Sequence, residues 1–204
     1  MTTLFNDGWE FSEIPLDSDK MYKDKEPVLF NPEDFLTAAK AAVYRPVRIP
    51  HDWMIHHTKD LYKNSVGCYK KTFTLTKAET GNRHTAVRFE GVYMNSAVWI
   101  NGKKAGEWKY GYATFEFDIS RLVKTGENEI LVIAVYQSPN TRWYSGAGIF
   151  RDVTLINAPR THLASDGTYF VCRPADKNRL DGEWTVKNSV EVAGDLDGHT
   201  VVNT

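Results

Sequence analysis

Arg142, Trp143 and Tyr144 stand side by side between a turn and a glycine pair, Gly146 and Gly148. A guanidinium is a fixed fork of donors, and two neighbouring rings are stacking faces, so the trio suits a sugar hydroxyl or a carboxylate. The same residues also read as a bulged corner whose aromatics cover the end of a sandwich. Gly146 and Gly148 allow a tight corner or close approach by another segment. Pro139 and Asn140 favour a turn just ahead of them. His51, His56 and His57 have the spacing of neither a helical pair of ligands nor a short zinc clip, so no metal site is expected from them. Cys68 and Cys172 fall in different predicted strands and are too few for a disulfide framework; free buried thiols are expected.

The elements that must position this loop are strands. Residues 129–136 read as a buried strand entering it and residues 149–156 as a second strand leaving it. Upstream, residues 4–14 alternate Trp9 and Phe11 with Glu10 and Ser12, as on a half-buried strand ended by Pro15. Residues 16–30 read as a surface loop. Asn31-Pro32-Glu33-Asp34 is a helix start, with a capping residue, proline in the first turn and two acids near the positive end of the dipole. That helix should pass Ala38, Ala39 and Ala42 and stop before Pro46. Residues 47–53 read as a strand leading into a corner, 61–65 as a loop, and 66–76 as a strand with Tyr69, Lys71 and Phe73 on one face. Asn101-Gly102, after two apolar runs at 85–91 and 94–100, is the pattern of a type I′ hairpin turn. Residues 115–119 form a further strand, in which Asp118 caps a short turn. Residues 130–135 are apolar on both faces, which marks a central strand.

Many short strands, close turn signals and one short helix indicate an all-β sandwich closing near Ile156. The chain restarts after Pro159 with strands at 162–173 and 184–192 around a polar turn at 176–181. Some 45 residues bury too little to stand alone, so this tail reads as the start of a second domain. The 204 residues, 42% hydrophobic and 25% charged, are a globular composition. A formal net charge of -1 gives no electrostatic case for nucleic acid or an anionic membrane. No run reaches the ~18 apolar residues of a membrane span. The first residues lack the basic start and apolar core of a secretory signal, so a cytoplasmic protein is expected, or a periplasmic one whose signal has been removed.

Phe5-Asn6-Asp7-Gly8-Trp9-Glu10-Phe11, Ile49-Pro50-His51-Asp52-Trp53, Gly67-Cys68-Tyr69-Lys70-Lys71-Thr72-Phe73, Phe89-Glu90-Gly91-Val92, Val98-Trp99-Ile100-Asn101-Gly102 and Gly126-Glu127-Asn128 occur in this order. With the loop at 143–153, they resemble the N-terminal sugar-binding domain of glycoside hydrolase family 2, the β-galactosidase and β-glucuronidase family. The resemblance covers residues 4–156. It implies a jelly-roll, galactose-binding-like sandwich over residues 1–158, followed at 159–204 by the opening strands of an immunoglobulin-like sandwich. In the full enzymes of this family a (β/α)8 barrel follows, bearing two glutamates that act as a retaining pair with carboxyls ~5 Å apart. This chain stops well before any barrel, so no catalytic residue is expected in it. Asn128-Glu129 looks like the family's asparagine and acid/base, but it begins a central strand after a glycine turn and reads as a hairpin residue.

What the resemblance implies for substrate is more local. Residues 61–64 resemble the segment that carries a substrate-contacting asparagine, which points to Asn64. The family's second contact is an aspartate just before the aromatic of the long loop; here Asn140, Thr141 and Arg142 occupy that region and no aspartate is present. Asn64, Asn140, Arg142, Trp143 and Tyr144 are therefore the candidate substrate-binding residues, with no cofactor and no metal expected. The expected function is the sugar-binding and scaffold domain of a retaining β-glycosidase, with β-galactosidase first in order. Its partners are a carbohydrate and the remaining domains of the same chain, with a homo-oligomer allowed and no nucleic acid or membrane. The alternative is an autonomous carbohydrate-binding module using Trp108, Tyr110 and Tyr112, whose period of two could place three rings on one face. The competing reading of those rings is packing inside the sandwich or against the barrel.

Overall fold

The computed structural model describes residues 1–16, 22–23, 26–57, 59–60, 63–138, 141, 143–177 and 181–198. Its strands in chain order are β1 (Thr2–Leu4), β2 (Trp9–Pro15), β3 (Tyr22–Lys23), β4 (Glu26–Pro27), β5 (Arg45–Val47), β6 (Ser65–Leu75), β7 (Arg83–Phe89) and β8 (Val92–Tyr93). They continue with β9 (Ser96–Ile100), β10 (Lys103–Trp108), β11 (Phe115–Asp118), β12 (Gly126–Tyr136), β13 (Gly148–Ile149), β14 (Val153–Pro159), β15 (His162–Pro174) and β16 (Trp184–Ala193). A six-stranded antiparallel sheet in the order β10-β9-β12-β6-β2-β5 faces a four-stranded one in the order β1-β14-β7-β11. Residues 1–81 and 85–157 make up one compact unit; residues 82–84 and 158–204 make up another.

The first unit is an all-β jelly-roll sandwich with a short helical segment. Its main core fills the space between the sheets with Trp9, Phe11, Trp53, Tyr69, Phe89, Val98, Ile130 and Val132, all nearly or fully buried. Alternate residues of the six-stranded sheet point the other way, and Val66, Cys68, Ala97, Trp99, Leu131, Ile133 and Val135 form a second cluster. Ala39, Leu36, Phe35 and Phe30 cover that cluster. β12 lies between β9 and β6, so both its edges are hydrogen-bonded and both its faces are covered. This is why residues 130–135 are apolar on both faces.

Local chemistry explains most boundaries. Asn101 and Gly102 take φ of 50° and 79° in the β9–β10 turn, as a type I′ hairpin requires. The predicted helix divides into a 3-10 turn, Pro32–Phe35, and α1, Leu36–Ala41. It ends earlier than expected: Ala42 is already extended, with ψ 153°, its N–H donating to Ala39 O at 3.4 Å, and the Tyr44 hydroxyl donates to the same oxygen at 2.9 Å. Pro46 is tolerated there because β5 is an edge strand. The strand expected at 47–53 ends at Val47. The strand expected at 149–156 is broken into β13 and β14, because Asn6 takes the backbone at the break: its Oδ1 accepts from Val153 N at 2.9 Å and its Nδ2 donates to Asp152 Oδ1 at 2.8 Å.

In the second unit, β15 and β16 pair as an antiparallel hairpin with an irregularity between Leu163 and Thr168. Both cysteines are free, but only Cys68 is buried; Cys172 is exposed, since among the described residues β15 pairs with β16 alone in a two-stranded sheet.

Candidate functional site

The site forms where the Ile49-Pro50-His51-Asp52-Trp53 corner meets the glycine pair. His51 N–H donates to Ile149 O at 2.7 Å and Trp53 N–H to Ala147 O at 3.0 Å, so the two segments run against each other. Between these bonds the Asp52 carboxylate serves three donors. Its Oδ1 accepts from Met54 N and Ala147 N, each at 2.9 Å, and its Oδ2 accepts from the Tyr144 hydroxyl at 2.6 Å. The first bond caps the 3-10 turn Trp53–His56; the other two clamp the aromatic loop to that turn. The length of the Tyr144 bond is that of a charge-assisted hydroxyl–carboxylate pair. Burial first, then the hydrogen bond to Asp52 and its charge, push the Tyr144 phenol above the ordinary tyrosine range. It is therefore a fixed donor at neutral pH.

The glycine pair makes this approach feasible. A Cβ on Gly146, at φ 69°, would lie 2.7 Å from Asp52 Oδ2; one on Gly148, at φ 132°, would lie 2.4 Å from His51 O and from the Tyr69 hydroxyl oxygen. Any larger residue would push the clamp apart.

His51 supports the clamp from inside. Its ring packs edgewise on Phe11, at 4.8 Å between centroids, and its Nδ1 is 2.8 Å from the Tyr69 hydroxyl. Burial, with the His56 and Arg45 charges adding, lowers its pKa to about 4, so the imidazole is neutral at pH 7. Tyr69 is held well above its usual range by burial. His51 and Tyr69 thus form a packed, hydrogen-bonded pair behind the clamp.

Outside the clamp, Trp143 is 60% exposed, with its indole Nε1 at 3.5 Å from the Tyr112 hydroxyl. Tyr112 packs on Tyr93 and Phe150 and lies 6.0 Å from the Tyr110 ring, which is 62% exposed. Trp108 is drawn away from this group: β10 ends there, and the indole stacks on Phe115 at 5.6 Å. The period of two in 108–112 therefore does not produce a single three-ring platform. Glu129 is a strand residue of β12, paired with Thr72, and its N–H donates to Asn101 Oδ1 at 3.0 Å.

Asn64 reaches the start of the same loop. It is half-buried; its side-chain oxygen accepts closely from Ser138 N–H, and its backbone oxygen accepts from Leu16 N at 3.2 Å. Asn64 and Tyr144 thus attach to opposite ends of one loop, and Trp143 projects from it. Asn140 and Arg142 lie outside the described residues, as do Leu61 and Tyr62 beside Asn64. Asp52 was not among the sequence candidates. Its only local signal is an aspartate placed to cap a turn, since its loop partners lie 92 and 95 residues away.

Residues 23–159 match the family described as glycosyl hydrolases family 2, sugar binding domain. A β-galactosidase of Bacteroides ovatus is 36% identical over 148 residues, which is 67% of this chain and 17% of that protein. A β-glycosidase from Bacteroides vulgatus superposes with a TM-score of 0.73 at 28% identity, over 96% of this chain and 24% of that one. The β-glucuronidase of Bifidobacterium dentium shares the fold, with a TM-score of 0.73 at 16% identity over 96% of this chain and 36% of its own. The chain therefore spans less than a fifth of the length of the galactosidase it matches.

Proposed function

The chain belongs to glycosyl hydrolases family 2 by its sugar-binding domain, and from that premise we propose that it is the sugar-binding and scaffold part of a retaining β-glycosidase, with β-galactosidase the favoured activity. The acid/base and nucleophile belong on a barrel beyond residue 204, and this part edges the sugar pocket. Residues 1–158 are the sugar-binding sandwich, and 159–204 open an immunoglobulin-like sandwich. The exposed Phe170, Trp184 and Val186 of the hairpin suit burial under a further sheet. The observation that carries the proposal is the clamp, in which Asp52 holds Tyr144 and Ala147 while Trp143 is left exposed. With Tyr144 and Ala147 held in this way, the neighbouring ring can be presented at a constant place, as preorganised sugar contacts require.

In this reading Trp143 and Tyr144 form an aromatic edge for a sugar ring, and Asn140, Arg142 and Asn64 supply polar contacts. The test is hydrolysis of chromogenic β-galactoside and β-glucuronide by the full-length enzyme with Arg142→Ala, Trp143→Ala or Asn64→Ala. A drop in kcat/KM of tenfold or more, about 1.4 kcal/mol of transition-state binding, with folding intact would uphold the sugar edge. Unchanged kinetics in all three variants would leave the domain as scaffold alone. Binding of galactose by the 204-residue chain itself would instead favour an autonomous binding module.

A further inference from the structure

Two side chains that hold the aromatic loop, Asp52 and Asn64, flank one stretch of chain, and Glu13 of β2 contacts two described residues of that stretch, His57 and Lys63. Asp52 begins it and holds Tyr144 and Ala147. The 3-10 turn Trp53–His56 follows, closed by His57 N–H donating to Met54 O at 2.9 Å. Asn64 ends the stretch and holds Ser138. Between them, His57 Nε2 is 2.9 Å from Glu13 Oε2, and Lys63 Nζ is 3.7 Å from Glu13 Oε1. Glu13 sits in β2 opposite Gly67 of β6, so its backbone is fixed by the sheet. Its side chain is 19% exposed and that of His57 22%, which shields the contact from water and makes it count for more than a surface pair.

The geometry points to Glu13 as a positioning residue for the proposed sugar edge. Among the described residues of the loop it has no hydrogen-bond or ion-pair partner. It acts by fixing His57 and Lys63, and through them the two ends of the 52–64 stretch, so that Asp52 and Asn64 stay in register with Ala147 and Ser138. This rests on the reading of the aromatic loop as a sugar edge only for its functional consequence; the mechanical coupling stands apart from it. Loss of Glu13 removes the hydrogen-bond partner of His57 and the charge beside Lys63, and should loosen two amides 9 positions apart in sequence together.

The test is amide hydrogen exchange of the 204-residue chain, with Val132 in the middle of β12 as internal reference. Glu13→Ala and His57→Leu are each expected to speed exchange at both Ser138 and Ala147 by roughly tenfold relative to Val132. Glu13→Gln, which keeps an oxygen for His57, is expected to restore most of the protection. Should Glu13→Ala unfold the chain, His57→Leu decides, since His57 lies in no strand. Acceleration at neither amide, or at only one of them, overturns the proposal. In the full-length enzyme the same variants should raise KM for a β-galactoside several-fold more than they lower kcat. Faster exchange with unchanged KM would uphold the positioning and overturn the sugar edge instead.

Discussion

β12 and the β15–β16 hairpin are strands of comparable length, 11 residues against 13 and 10, yet they live in opposite environments. Residues 130–136 are all nearly buried, with Ile133 and Val132 fully so. In the hairpin the neighbours Tyr169 and Phe170, which point to opposite faces, are 63% and 62% exposed. Both regions carry strand-forming sequence. The difference lies in what covers them: two strands and two layers for β12, one partner strand for each member of the hairpin. Alternation makes a strand, but stability comes from neighbours.

The largest expected effect breaks β12. Ile133→Ala removes a fully buried side chain from the cluster beneath the helical segment and should cost about 3 kcal/mol, read as a lower midpoint in urea denaturation at unchanged slope. Next comes the clamp, where burial is partial but charge is concentrated. Asp52→Ala deletes an acceptor of three hydrogen bonds and should cost about 2 kcal/mol. In a double-mutant cycle with Tyr144→Phe, a coupling of about 1 kcal/mol is expected. A coupling near zero would show that the Tyr144 bond contributes nothing to holding the loop.

The clamp also carries a pH signature. His51 has a folded pKa lowered to about 4 by burial, so between pH 6.5 and 4 the unfolded chain binds a proton that the folded chain does not. Stability from this group is therefore full above about pH 6.5 and declines as the pH falls towards 4, by on the order of 2 kcal/mol. Thermal unfolding of wild type and His51→Phe across this range isolates the effect, because other acid-sensitive groups are common to both. Parallel curves would mean that His51 is as readily protonated folded as unfolded.

How much of this was legible in the sequence follows the same division. The Asn101-Gly102 hairpin, the central place of β12 and the two strands after Pro159 were readable, because each rests on turn chemistry, alternation or an unbroken apolar run within a dozen residues. The family was readable from motifs in order. The break between β13 and β14 was not, because Asn6, more than 140 residues away, supplies the bonds that make it. The Asp52 clamp and the Glu13 contact with His57 were hidden for the same reason. Lys71 was placed on the same face as Tyr69 and Phe73, but nothing local foretold that its amine would rest 3.4 Å from the centre of the Phe5 ring and donate to Phe5 O at 2.9 Å. The candidate residues read from types, Trp143 and Tyr144, needed the fold to separate one that is tied down from one that projects.

The smallest effect is the most discriminating. Val186→Ala deletes two methyl groups from a strand position that is 55% exposed, so the expected cost is below ~0.5 kcal/mol, against the severalfold larger loss for Ile133→Ala. Both changes take a β-branched residue from an antiparallel strand, so strand propensity weighs on both, and the remaining difference is burial. A cost at Val186 above about 1 kcal/mol would mean that something covers this face in solution. A second copy of the chain would reveal itself by a Tm that rises with protein concentration, since association stabilises the folded state by mass action. A small cost and a concentration-independent Tm would leave this face of the hairpin uncovered in the 204-residue chain.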